Sequence, residues 1–119
     1  MPRILIVDDE PGILSLLSTV FTRAGYGVKA ASGPFAAMEM CGSESFDVIL
    51  SDINMPGMDG HGLVRWAANA HPHTRSVLMS ALDIQCGECP FRGRCKLLRK
   101  PFNPAVAVAV VGQLLHGPE

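Results

Sequence analysis

Ile4, Leu5, Ile6 and Val7 form an unbroken β-prone apolar run that ends in Asp8, Asp9 and Glu10. A strand buried on both faces of a parallel sheet reads this way, because neither face has to meet water. The period then changes. From Gly12 to Ala24 the apolar positions Ile13, Leu14, Leu17, Val20, Phe21 and Ala24 recur at helical spacing, and Gly25 can take the left-handed conformation that ends a helix. Val28 to Ala31 predicts a weaker strand, and Lys29 within it suits a sheet edge. Pro34 can open a short helix to Cys41, since its missing N–H costs nothing in a first turn.

The alternation continues through the second half. Val48-Ile49-Leu50 predicts another buried strand, leading into Ser51-Asp52. The Pro56-Gly57 and Asp59-Gly60 steps mark a loop before a helix at about Leu63 to Ala70. Val77-Leu78-Met79 runs into Ser80, and Lys96-Leu97-Leu98-Arg99 predicts a last strand. Asn103-Pro104 supplies a cap and first turn for a closing helix to about Leu115, even though Ala105 to Val110 alternates with period two and could pass for a strand. Strands and helices in strict alternation imply a doubly wound α/β fold with right-handed crossovers and five parallel strands.

Composition narrows this further. With 119 residues, 48% hydrophobic and 18% charged, the chain fits one domain over 1–119 and is not disordered. Ten basic and eleven acidic residues leave a net charge of −1, so the electrostatic footprint of a nucleic-acid binder is missing. The apolar start is too short for a signal peptide, and no run approaches the roughly 20 residues of a membrane span. A cytoplasmic protein is expected, and there four cysteines are thiols or metal ligands rather than disulfides.

The expected strands end in polar residues: Asp8 and Asp9, then Asp52, then Ser80, then Lys100. Open α/β sheets bind ligands at these carboxyl ends. Taken singly, such acids serve as loop solvation or helix caps, Ser80 as a strand-end hydroxyl, Lys100 as a solvated charge. Taken together, three carboxylates repel unless a cation intervenes, and an oxygen-only cluster suits Mg²⁺. A carboxylate can also attack phosphorus. Lys100 could then neutralise one phosphoryl oxygen and Ser80 donate a hydrogen bond to another.

Asp8-Asp9-Glu10, the block from Asp52 to Gly60, Ser80-Ala81 and Lys100-Pro101-Phe102 together resemble the signature of response-regulator receiver domains of two-component signalling. The resemblance covers nearly the whole chain. It implies a flavodoxin-like sheet of order 2-1-3-4-5. It also implies phosphoryl transfer to Asp52 from a phosphohistidine of a sensor histidine kinase or phosphotransfer protein. Mg²⁺ would sit on Asp9, Asp52 and the carbonyl of Asn54, with Asp8 acting through water, and Lys100-Pro101 would be a cis bond. Chemistry beyond self-phosphorylation and self-dephosphorylation is not expected, and neither nucleic acid nor membrane is an expected partner.

Two departures stand out. The family has an aromatic residue three positions before the lysine, and this chain has Leu97. Between Ser80 and Lys100, where the family has its fourth helix, two glycines and a proline accompany Cys86, Cys89 and Cys95 in a C-x2-C-x5-C pattern. C-x2-C is a half-site for Zn²⁺ or an iron-sulphur cluster, with Cys41, His71, His73 or another chain as a fourth ligand. Reduced thiols packing an irregular loop, or a Cys86–Cys89 redox disulfide, are the other readings. The alternative function is accordingly a receiver-like redox or metal-sensing module acting through this segment. A hydrolase is a remote third, for want of a second catalytic base.

The closing helix is also unusual. Positions 105 to 111 are Ala or Val throughout, with Gln113 the one polar side chain before His116. Apolar surface must therefore face outward as well as inward. In the family this helix belongs to the dimer or output face, so a homodimer through it is expected; the alternative is a small-residue face that water tolerates.

Overall fold

A computed structural model of the 119-residue chain describes residues 2–52, 60–80, 95–99 and 103–116. The elements in order are β1 (Arg3–Val7), α1 (Pro11–Arg23), β2 (Gly27–Ala31), α2 (Pro34–Ser43), β3 (Val48–Asp52), α3 (Gly60–Ala70), β4 (Arg75–Ser80), β5 (Cys95–Arg99) and α4 (Pro104–His116). All strands are parallel in one sheet, ordered β2-β1-β3-β4-β5. Two sequence expectations move. Helix α3 starts at Gly60 rather than near Leu63, and Cys95 is the first residue of β5 instead of part of the preceding irregular stretch. That stretch, with Cys86 and Cys89 and the expected loss of a regular fourth helix, lies outside the described residues.

Alternation of side chains along the strands divides the core in two. Ile4, Ile6, Val48, Leu50, Val77 and Met79 point to one face, where they meet Leu17 and Phe21 of α1 and Ala107, Val111 and Leu114 of α4. Leu5, Val7 and Ile49 point to the other, under Ala37 and Cys41 of α2 and Leu63 and Ala67 of α3. This two-sided demand is why β1 from Ile4 and the whole of β3 are buried, whereas β2 at the edge tolerates an exposed Lys29. Each fully buried Leu, Ile or Val contributes about 1.5–3 kcal/mol relative to exposure, so the two apolar layers dominate the stability.

The amino end of the sheet is tied by polar contacts. Arg3 pairs with Glu44 and lies over the Phe46 ring at 5.4 Å, while its backbone N–H donates to Asp47 Oδ2 at 2.7 Å. The Thr74 hydroxyl donates to the Phe46 carbonyl at 2.8 Å. Arg75, at the start of β4, donates through its guanidinium to the Leu114 carbonyl in the last turn of α4, where a cation opposes the negative end of the helix dipole. These contacts leave the carboxyl end free for other chemistry.

Helix α1 is closed by Gly25 at φ 97°, from which the chain turns so that the Tyr26 N–H reaches the Phe21 carbonyl and the two rings meet edge to face at 5.2 Å. Nothing lies within 4 Å of a Cβ built at Gly25, so a side chain there meets no steric wall and costs only backbone strain. Gly25→Ala is expected to lower the unfolding free energy by about 1 kcal/mol, read as a shifted urea midpoint at constant slope. An unchanged midpoint would contradict the requirement for a left-handed residue.

Candidate functional site

Strands β1 and β3 are neighbours, with Val7 opposite Ser51. Asp8, the next residue after β1, therefore comes beside Asp52, the last residue of β3. Asp8 is fully buried and Asp52 is 6% exposed, while Asp9 is on the surface. Carboxylate oxygens of Asp8, Asp9 and Asp52 all lie within 4.8 Å of one another. Among the described residues this is the one group of three or more His, Cys, Asp or Glu side chains placed to share a metal ion.

The backbone fixes Asp8 in that position. Its own N–H donates to the Ala31 carbonyl at 3.2 Å, and its Oδ1 accepts the Glu10 N–H at 2.9 Å. A short acidic side chain reaching the amide two residues on is an Asx turn, here placed just before α1. The sequence offers Glu10 only as part of the acidic run after β1, with no role for its backbone amide. The i to i+2 reach of Asp8 is the signal that could have found it. Beneath Asp52, Ser51 is fully buried, and its hydroxyl donates to the Asp52 carbonyl at 2.9 Å.

Like charges this close are costly. At 4.8 Å two carboxylates repel by about 1 kcal/mol in water and by about 3 kcal/mol at the effective dielectric of 20 found near protein surfaces. The buried pair Asp8 and Asp52 lies toward the upper figure. A small divalent cation offsets that repulsion, and hard oxygen donors beside an exposed Asp9 match an ion that keeps some of its waters. The residues present fit Mg²⁺.

The sequence also pointed to Ser80, Lys100 and Asn54. Strand β4 ends at Ser80, whose Cα is in register with Arg99 of β5, one residue before Lys100. The strand ends that precede the lysine and carry the serine thus share the carboxyl edge with Asp52. Lys100 and Asn54 themselves lie outside the described residues. So do Cys86 and Cys89, while Cys95 falls at the amino end of β5, paired with Ser76 and at the far end of the sheet from Asp52.

Cys41 is buried in the core beneath α2, where burial pushes its thiol pKa up and keeps it neutral. His71 sits edge-on to Trp66 at 5.3 Å, and His73 is exposed in the turn before β4. Cys41 therefore acts as packing.

Substituting Asp8 by Asn keeps the acceptor for Glu10 and removes one charge. Without Mg²⁺, Asp8→Asn is expected to unfold at higher urea than the wild type, by about 1–3 kcal/mol, because the repulsion with Asp52 is gone. Stabilisation by added Mg²⁺ should shrink in the same variant. Equal Mg²⁺ stabilisation of both proteins would remove Asp8 from the site.

Comparison with known proteins adds the following. A family model described as "Response regulator receiver domain" matches residues 4–111. The response regulator protein FleR of Pseudomonas aeruginosa is 30% identical over 113 residues, covering 93% of this chain and 24% of that protein. Sporulation initiation phosphotransferase F of Bacillus subtilis is 35% identical over 104 residues, covering 85% of this chain and 83% of that one. The response regulator TrrA of Thermotoga maritima, solved in complex with Mg(2+)-BeF, superposes with a TM-score of 0.84 at 28% identity, over 97% of this chain and all of that one. The chain thus spans about a quarter of FleR and most of phosphotransferase F.

Proposed function

The chain belongs to the response regulator receiver domains, and from that premise we propose that it accepts a phosphoryl group on Asp52, with Mg²⁺ as cofactor, and uses the modification as a switch. Receiver domains are signalling domains, and the proposed chemistry is confined to the chain's own phosphorylation and dephosphorylation. The observation that carries the reading is the convergence of Asp8, Asp9 and Asp52 oxygens within 4.8 Å at the carboxyl ends of two adjacent central strands.

The reaction follows from these groups. The donor is a phosphohistidine of a sensor kinase or phosphotransfer protein. A carboxylate oxygen of Asp52 attacks phosphorus, forming an acyl phosphate. The P–N bond breaks and its electron pair returns to the imidazole nitrogen. Asp52 is suited as nucleophile because it ends a rigid buried strand yet keeps some exposure, and Asp8 beside it is fully buried. When bound, Mg²⁺ neutralises the charge that the incoming phosphoryl group would otherwise meet. Asp9, Asp52 and the Asn54 carbonyl are the proposed direct ligands, with Asp8 acting through water. The Lys100 ammonium would pair with a phosphoryl oxygen, and the Ser80 hydroxyl would donate to another.

The whole of 1–119 is proposed to act as this one receiver unit. A cytoplasmic location goes with the reading, and no helix among the described residues is long and apolar enough to cross a membrane. The acyl phosphate carries about −1.5 to −2 charges beside Asp8 and Asp9 in place of the single carboxylate charge of Asp52, and the expected response is a movement of Ser80 and the chain after it toward the phosphoryl group. That response would be relayed without the usual aromatic partner, since the residue three before Lys100 is Leu97.

The test is incubation with a small-molecule phosphoryl donor and Mg²⁺, followed by intact-mass measurement. A gain of one phosphoryl group is expected in the wild type and none in Asp52→Ala; chelation of Mg²⁺ should suppress the gain at least about tenfold. A wild-type chain that takes up nothing would sink the proposal.

A further inference from the structure

The amino end of the sheet, where Cys95 begins β5, also carries the turn that leads into β4. His71, Pro72, His73 and Thr74 make that turn, closed by the Thr74 N–H donating to the His71 carbonyl at 3.0 Å. Proline at its second position fixes φ in advance, and the Thr74 hydroxyl anchors the end of the turn to the Phe46 carbonyl at 2.8 Å. His73 is thus exposed on a rigid support. Three residues further on is Ser76, the residue in register with Cys95. With neighbouring strands about 4.8 Å apart and a rise of about 3.3 Å per residue, the backbones at His73 and Cys95 come within about 11 Å of each other.

Three of the chain's four cysteines, Cys86, Cys89 and Cys95, follow a C-x2-C-x5-C pattern that has no part in phosphoryl chemistry at Asp52. Cys86 and Cys89 lie outside the described residues and enter through their spacing alone. Two residues between thiols is the spacing of a zinc half-site. An odd number of thiols leaves one over when a disulfide forms, whereas three thiolates and one imidazole complete a tetrahedral zinc set. An iron-sulphur cluster calls for a fourth thiolate, and Cys41 is 5% exposed in the apolar layer beneath α2. Of the two histidines in the turn, His71 is packed edge-on against Trp66 at 5.3 Å. His73 is the one left to solvent, at the end of the sheet where Cys95 starts its strand.

We propose that Cys86, Cys89, Cys95 and His73 hold a structural zinc ion at the amino edge of β4 and β5. Zinc bonds to cysteine and histidine are about 2.3 and 2.0 Å long, and with the lengths of the two side chains they bridge a backbone gap of about 11 Å. Each thiol gives up its proton as Zn²⁺ binds, and His73 coordinates as the neutral imidazole, so three thiolates and one divalent ion leave a single excess negative charge. Arg92, Arg94 and Lys96 stand within three positions of Cys95 in the sequence. Such cations favour thiolate over thiol and offset the excess charge.

The ion also gives a physical reason for the departure between Ser80 and Lys100. Two glycines and a proline disfavour a regular helix there, and a metal cross-link supplies the order that helical hydrogen bonds would otherwise provide. Nothing in the proposal depends on phosphoryl transfer to Asp52, so the centre is expected in the unmodified chain.

Titration of the reduced, metal-free chain with Zn²⁺ tests this, in excess Mg²⁺ to keep zinc off the carboxylates. One equivalent should bind with a dissociation constant below about 1 µM. Co²⁺ in place of zinc should give the intense visible bands of a tetrahedral ion together with thiolate-to-metal charge transfer. His73→Ala should weaken zinc binding at least about tenfold and alter the cobalt bands, while its urea midpoint without metal stays that of the wild type, which separates a lost ligand from a folding defect. Cys89→Ser should weaken binding at least as much, and His71→Ala should leave it unchanged. Absence of sub-micromolar binding, an octahedral cobalt spectrum, or uptake of iron and sulphide in place of zinc overturns the proposal. So does zinc binding that survives His73→Ala, or that His71→Ala abolishes.

Discussion

Asp8 and Asp52 are buried side by side because β1 and β3 pair in parallel with Val7 opposite Ser51. The repulsion this creates is not relieved by moving either residue. Asp8 is held by the Ala31 carbonyl and the Glu10 amide, and Asp52 continues a strand sealed on both faces. The cores above and below the sheet therefore supply the energy that keeps two like charges together. A site held in this way favours positive charge, the part proposed above for a divalent cation and for Lys100. Its affinity for the cation is the counterpart of the strain stored without it.

Holding and reacting are assigned to opposite ends of the sheet. At the amino end, Arg3, Glu44, Phe46, Asp47, Thr74 and Arg75 link β1, β3, β4 and the last turn of α4 by contacts that reach across up to 44 residues of sequence. At the carboxyl end the strands stop at Asp52 and Ser80, and in register with them β5 runs to Arg99 just before Lys100. The consequence is a rigid base with a polar rim. Arg75 adds a particular coupling: it sits on the strand that ends in Ser80 and holds the carboxyl terminus of α4, so a displacement of β4 would be felt along the helix whose outward face is uncharged.

Much of this was legible in the chain itself. Unbroken apolar runs at Ile4–Val7 and Val48–Leu50 announced central strands because burial on both faces removes any reason for alternation, and acids directly after them announced a site at the strand ends. The edge position of β2 was readable from Lys29. What escaped was set by other forces. The start of α3 lies within turn-forming residues at Asp59-Gly60, where periodicity carries no signal. Cys95 joined β5 because it pairs with Ser76, a tertiary choice that outweighs its place in a cysteine pattern. The Arg3 cluster and the Arg75 contact to Leu114 join residues distant in sequence and have no local trace. Of the site itself, the acidic half could be read and then seen, since each acid directly follows or ends a strand; the roles of Ser80, Lys100 and Asn54 rest on motif order.

The most direct test is to locate the phosphoryl group chemically. Borohydride reduces an acyl phosphate at an aspartate to the alcohol and so converts that residue to homoserine, which fragment masses assign to a position. After phosphorylation and reduction, homoserine at position 52 and at no other is the result this account predicts. Homoserine at Asp8 or Asp9, or a phosphoryl group that borohydride leaves in place, would contradict it.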